Sequence, residues 1–286
     1  NYPRYLQITT LDSLKNDYNK ELKTLFDNYK IDKDNTDPWL STWDNYFKEF
    51  EKTEILSNTF SHNDALNCEV ADALVSIKNS DQALKIKTFF MDNRKVTLKT
   101  LVDRNYKNDD SFTEKAFSSF VPEKTNQRSI FDDKVKLFLE EAASETDSIR
   151  KIAYNNLYNL TLNETDFERI TTFLDTHEFK DTDAYGKVGL YQKLGDLKHK
   201  GVIPYLENKY KAEGTKTTEQ LAILNALASQ NTENAYRQVL KLMEFDLPVT
   251  EDAYELNQLF HSFEENLAES KVLFPDIFQF YGIEEY

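Results

Sequence analysis

Asp147-Ser148-Ile149-Arg150-Lys151-Ile152-Ala153-Tyr154-Asn155-Asn156-Leu157-Tyr158-Asn159-Leu160 places apolar side chains at Ala153, Leu157 and Leu160. Offsets of 0, +4 and +7 fall one turn apart on a single face of an α-helix. The same triplet recurs at Val70/Leu74/Ile77, Leu190/Leu194/Leu197 and Leu256/Phe260/Phe263, while Ile223/Leu227 is followed by Gln230 in the third place. Middle members stand at residues 74, 157, 194, 227 and 260, so the last three intervals are 37, 33 and 33. The gap of 83 has room for one more unit, and Phe117/Phe120 lies near its midpoint. A polar link after each triplet leads to a second apolar segment: 81–102, 131–142, 166–174, 202–210, 234–243 and 273–280.

Helix start signals are frequent, among them Asp37-Pro38, Asp147, Thr217-Thr218-Glu219 and Thr250-Glu251-Asp252. A two-helix period of 30 to 45 residues is the signature of stacked helical hairpins, each too small to bury both apolar faces alone. The sequence therefore predicts an all-α fold. It is a right-handed α-solenoid of about six stacked hairpins over residues 62–286, with a helical cap at 1–61. Residues 147–160 resemble the first helix of a HEAT repeat, where an Asp, a β-branched residue and an Arg precede Ala, Leu and Leu. Gly201-Val202-Ile203-Pro204-Tyr205-Leu206 is similar to the start of a HEAT second helix. The resemblance spans roughly residues 62–281, with Asp and Arg present together only in the unit at 147. It implies a protein-binding role.

Composition narrows the chemistry. Only six of 286 residues are Gly, all between Gly186 and Gly282, so the first 185 positions have none. Phosphate loops, dinucleotide folds and nucleophile elbows need glycine where the backbone turns sharply or meets a ligand. Neither Asn-Gly nor Asp-Gly occurs, which weighs against tight hairpins and an all-β fold. Net charge is −15, and residues 251–286 hold nine acids and one base. That balance argues against nucleic acid as a partner, because phosphate neutralisation dominates such binding. The single cysteine, Cys68, excludes internal disulfides and multi-thiolate metal sites. No apolar run is long enough for an integral membrane segment. The chain opens Asn-Tyr-Pro, and Lys greatly outnumbers Arg among many Asn residues. Together these predict a bacterial, extracytoplasmic fragment or processed product.

The chemically suggestive groups each have a plain structural reading. Trp39, Trp43, Phe47 and Phe50 fit a stacking platform, and better a core plug at the N-terminal end. Asp32-Lys33-Asp34-Asn35-Thr36-Asp37 opens like a calcium loop but has Asp37 and Trp43 where Gly and Glu belong. His62, His177, His199 and His261 have no paired spacing, so solvated or capping roles are expected. Cys68 is expected to be a buried, inert thiol on the first repeat helix. Acidic pairs such as Glu140-Glu141 and Glu264-Glu265 suit glycoside hydrolysis in principle, yet 50 acids make such pairs commonplace. No catalytic, cofactor-binding or metal-ligating residue is singled out, and no cofactor is implied.

One segment runs against the global charge. Residues 82–107 carry seven bases and two acids. Read as a helix, they place Lys87 and Arg94 on one face and Lys95 and Lys99 on an adjoining one. These four are the candidate contacts for an acidic partner. The expectation is a non-catalytic scaffold holding another protein or another domain of its parent chain. The alternatives are an all-α toroidal hydrolase or lyase acting on glycans, and an accessory domain of an exported surface enzyme.

Overall fold

The structure, a computed structural model, describes residues 3–25, 53–77, 80–92, 94–107, 112–120, 128–212, 214–250 and 253–283. It divides into two compact units, Asn1–Asp133 and Lys134–Tyr286. The expected cap boundary at residue 61 falls inside a strand.

In the first unit, α1 (Leu11–Lys23) starts at Thr10, whose hydroxyl accepts the Ser13 N–H at 3.1 Å. Four strands follow: β1 (Thr53–Asn63), β2 (Cys68–Ile77), β3 (Gln82–Met91) and β4 (Arg94–Asp103). They form an antiparallel meander in the order β1-β2-β3-β4. The chain is therefore mixed α/β, and the all-α solenoid, with its hairpins beginning at residue 62, is overturned by the sheet at 53–103.

The physical reasons are local. Val70 and Leu74 are an even number of residues apart, so they share a strand face as readily as a helix face. β2 is covered on both sides: Ala71, Ala73 and Val75 pack under α1 residues Leu14, Tyr18 and Leu22, while Cys68 and Val70 join Phe89 and Met91. Burial of both faces removes the polar alternation that marks a strand. The missing glycine is replaced by Asn67, which takes the left-handed turn conformation at φ 44 between β1 and β2. Across the second face, Phe120 follows α2 (Phe112–Ser118) and meets the Phe89 ring at 4.8 Å.

The described residues from 134 onward are built of helices and their connecting turns. The main helices are α3 (Lys134–Ala142), α4 (Asp147–Asn155), α5 (Phe167–Thr176), α6 (Ala184–Gly195), α7 (Val202–Tyr210), α8 (Thr217–Ser229), α9 (Glu233–Phe245) and α10 (Ala253–Glu265). A short α11 (Leu267–Ser270) and 3-10 turns end the described chain. α6 packs between α4 and α8, and α8 packs on α10, giving one layer; α7 and α9 pack together and against α8. Leu157, Leu194 and Leu227 are at most 5% exposed. α8 is buried almost all round, through Leu221, Ala222, Ile223, Leu224, Ala226, Leu227 and Ala228. No helix among the described residues is long and apolar enough to cross a membrane.

Candidate binding groove

The tightest helix contacts explain where the glycines went. A Cβ on Gly186 would sit 2.2 Å from the Tyr154 ring, and one on Gly189 would sit 2.7 Å from Leu157 Cδ2. At Gly195 it would meet the Ala226 carbonyl oxygen at 2.6 Å and Cα at 2.7 Å. Glycine thus lets α6 lie against α4 on one side and almost touch the α8 backbone on the other. Gln230, which interrupts its triplet, is 7% exposed and donates from Nε2 to the carbonyls of Gly195 and Leu197, the latter at 2.8 Å. It caps the end of α6, where carbonyls lack helical partners.

Along this layer runs a cavity of about 740 Å³, lined from Tyr154, Leu157 and Tyr158 through α6 and α8 to α10. Tyr158 and Tyr185 stand at its lip, 74% and 90% exposed. Gln192 and Lys193 come from α6 and Asp196 directly follows it, Asn225, Ala226, Ala228 and Ser229 come from α8, and Gln258, His261, Ser262 and Glu265 from α10. The Lys193 ammonium donates to the Tyr158 carbonyl at 3.1 Å. Asn225 Nδ2 donates to the Leu221 carbonyl at 3.1 Å, and Gln258 Nε2 to Tyr254 Oη at 2.8 Å. His261 Nε2 lies 3.1 Å from Glu265 and its Nδ1 3.9 Å from Glu264. A wall of carboxamides, hydroxyls and small side chains, with Lys193 and Asp196 at the α6 side and Glu265 on α10, is suited to hydrogen bonding with a polar chain.

A second cavity of about 400 Å³ lies beside Arg150 and His177. Arg150 is 2% exposed; Nε donates to Asp183 at 3.0 Å and Nη1 to the Ser144 and Glu145 carbonyls at 2.8 and 3.1 Å. Nη2 donates to Asp147, and the guanidinium holds that carboxyl below the usual range. The Asp and Arg that carried the repeat resemblance thus tie the α3–α4 connection to the turn at 181–183. His177 stacks on Phe173 at 4.5 Å and meets the Phe179 ring edge-on at 4.8 Å. Its Nε2 is buried without a hydrogen-bond partner, and burial pushes its pKa down.

The four cationic candidates are distributed differently from the helical expectation. The register Met91↔Arg94, Phe90↔Lys95, Lys87↔Leu98 and Ile86↔Lys99 puts Lys87 and Arg94 on one sheet face and Lys95 and Lys99 on the other. Lys87 runs over the Phe89 ring at 5.9 Å, Lys95 is paired with Glu21, and Arg94 and Lys99 are exposed. They do not form one strip. Cys68 is buried as expected, though on β2, and burial pushes its thiol up to about 11. His62 bonds Glu69 at 2.8 Å, and His199 Nδ1 accepts the Gly201 N–H at 3.2 Å. The aromatic run at 39–50 and the acidic segment at 32–37 lie outside the described residues. Among the described residues, no group of three His, Cys, Asp or Glu side chains is placed to hold a metal ion.

The sequence reading missed the groove's carboxamides, although their signal was present. Gln192, Asn225 and Gln258 each stand two residues before the middle member of a triplet, at intervals of 33. The HEAT assignment falls with the solenoid, and comparison with protein-family models, curated proteins and solved structures finds no match for this chain.

Proposed function

We propose that this chain is a non-catalytic protein-binding module whose helical unit holds a segment of another protein, or of its own parent chain, in the α6–α8–α10 groove. The supporting observation is the groove itself, about 740 Å³ long-walled in carboxamides and small residues with two exposed tyrosines at the lip. Those tyrosines offer rigid, amphipathic contact area of the kind binding surfaces favour. Lys87, Arg94, Lys95 and Lys99 are retained as contacts for an acidic partner, acting from opposite faces of a sheet rather than adjoining faces of a helix.

Panning random dodecapeptides displayed on phage against the full chain tests the reading. Binders should lose about tenfold in affinity, equal to about 1.4 kcal/mol, when Tyr185→Ala and Gln258→Ala are combined. Both side chains are exposed, so the melting temperature should hold. Binding of oligosaccharides with no peptide capture would replace this reading with a glycan-directed one. Peptides indifferent to the two substitutions would place binding elsewhere.

A further inference from the structure

We infer that the outer edge of β4 takes up an extended, acidic segment of a partner protein as an added strand of the sheet; this rests on the cationic-contact part of the reading above and not on the groove. The Arg104 N–H donates to the Asp81 carbonyl at 2.8 Å, one step beyond the last ladder pair, Gln82↔Asp103. Facing residues in an antiparallel ladder alternate between bonded and unbonded pairs. Arg94, Val96, Leu98, Thr100 and Val102 therefore bond β3, while Lys95, Thr97, Lys99 and Leu101 turn both backbone groups outward. Among the described residues, none of those outward groups has a partner. The open edge from Lys95 to Leu101 is about 20 Å long at about 3.4 Å per residue.

The side chains of the strand select what fits. Lys95, Thr97, Lys99 and Leu101 stand beside Phe90, Thr88, Ile86 and Leu84, on the face where α1 lies. α1 reaches Lys95, which pairs with Glu21, but leaves Lys99 exposed and Leu101 67% exposed. Arg94, at the start of the strand, is exposed on the opposite face. Neither Arg94 nor Lys99 has an ion pair among the described residues, in a chain with 50 acids. β1, the other edge, has no Lys or Arg, and its ladder is interrupted by a register shift between Ile55 and Ser57. Such an irregularity spoils an edge for pairing, whereas β4 holds one register from Gln82↔Asp103 to Met91↔Arg94. When a strand is added, main-chain hydrogen bonds give affinity and alternate side chains give specificity. An antiparallel segment would set an apolar residue opposite Leu101 and an acid two places later opposite Lys99. Further acids would follow opposite Lys95 and Arg94.

The probe is the end-blocked peptide Leu-Thr-Glu-Val-Thr-Val-Glu-Asp, added to the full chain and followed by fluorescence anisotropy and amide hydrogen exchange. Without peptide, the Thr97, Lys99 and Leu101 amides should exchange faster than those of Leu98 and Thr100, and saturating peptide should slow them about tenfold or more. N-methylation should weaken binding about three- to tenfold at alternate peptide residues, those opposite Lys95, Thr97, Lys99 and Leu101, and little between. Lys99→Glu should weaken binding about three- to tenfold at low salt and less at high salt, with the melting temperature held. Changing the facing Glu of the peptide to Lys should restore it. Binding that follows charge but shows no two-residue period and no amide protection would mean side-chain contact alone. That result overturns this inference and leaves the acidic-partner reading intact. Lys99 and Leu101 amides already protected in the free chain would show the edge covered, and overturn it equally. No binding of this peptide or of its shuffled acidic forms would overturn both the inference and the cationic-contact reading.

Discussion

Replacing Gln230 by leucine probes the joint between α6 and α8 with almost no change of volume. The native side chain is 7% exposed, and its Nε2 serves two carbonyls, those of Gly195 and Leu197. Leucine would leave both oxygens buried and unbonded, at about 1–3 kcal/mol each, so about 2–6 kcal/mol together. Greater apolar burial returns about 1–2 kcal/mol of that. The net loss, about 2.5 kcal/mol from the middle of both ranges, corresponds to a fall in melting temperature of about 5–10 °C for a unit of this size. Thermal melts followed by far-ultraviolet circular dichroism read it directly. Gln230→Glu supplies the sign. Its carboxylate would face two acceptors, so at pH 8 it should be worse than leucine. A buried acid of this kind has a raised folded pKa, so its deficit should shrink as pH falls and the protonated carboxyl regains a donor. If the leucine variant melts with the native protein and the glutamate variant shows no dependence on pH, Gln230 does not hold this joint.

Gly195→Ala should destabilise by about 1–3 kcal/mol, against the ordinary preference of helices for alanine, because the new Cβ meets Ala226 backbone atoms at 2.6 and 2.7 Å. Gly282→Ala, which meets nothing within 4 Å, is the neutral control in the same urea melts. His177, its pKa lowered first by burial with Asp183, Arg150, Glu145 and Glu178 nearby, takes up a proton more readily when unfolded. Stability should therefore drop between about pH 7 and pH 5, and His177→Phe should flatten that slope in urea titrations at the two pH values. Cys68, with its thiol pushed up to about 11, should react with a disulfide reagent at neutral pH no faster than the first unit opens. Rapid labelling of the folded chain would contradict its placement on β2.

The helical half was legible because its triplets Ala153/Leu157/Leu160 and Leu190/Leu194/Leu197 are all buried, although α4 ends at Asn155 and α6 at Gly195, so their later members lie in the turns that follow. The sheet was not, for a reason that residues 68–75 make plain. Their two faces are both covered, and apolar neighbours four apart satisfy either period. Glycine scarcity was read as evidence against hairpins, but Asn67 supplies the required conformation itself. The same scarcity carried a different message in the second unit, where Gly186, Gly189 and Gly195 mark helix contacts too close for a side chain. Hydropathy does not mark the groove's carboxamides. Gln192, Asn225 and Gln258 share the period of the core but sit on its polar flank. Gln230 looked like a flaw in the repeat because hydropathy says nothing of the carbonyls it bonds.

The order β1-β2-β3-β4 leaves β4 as the outer strand of the sheet on one side. An outer strand carries a row of backbone donors and acceptors that another chain can extend into a continuous assembly. Here that strand carries Arg94 on one face and Lys95 and Lys99 on the other. Any copy arriving edge to edge in the antiparallel sense would bring its own cations against these. The positive charge that breaks ranks with an acidic chain would therefore oppose the pairing of one β4 with another.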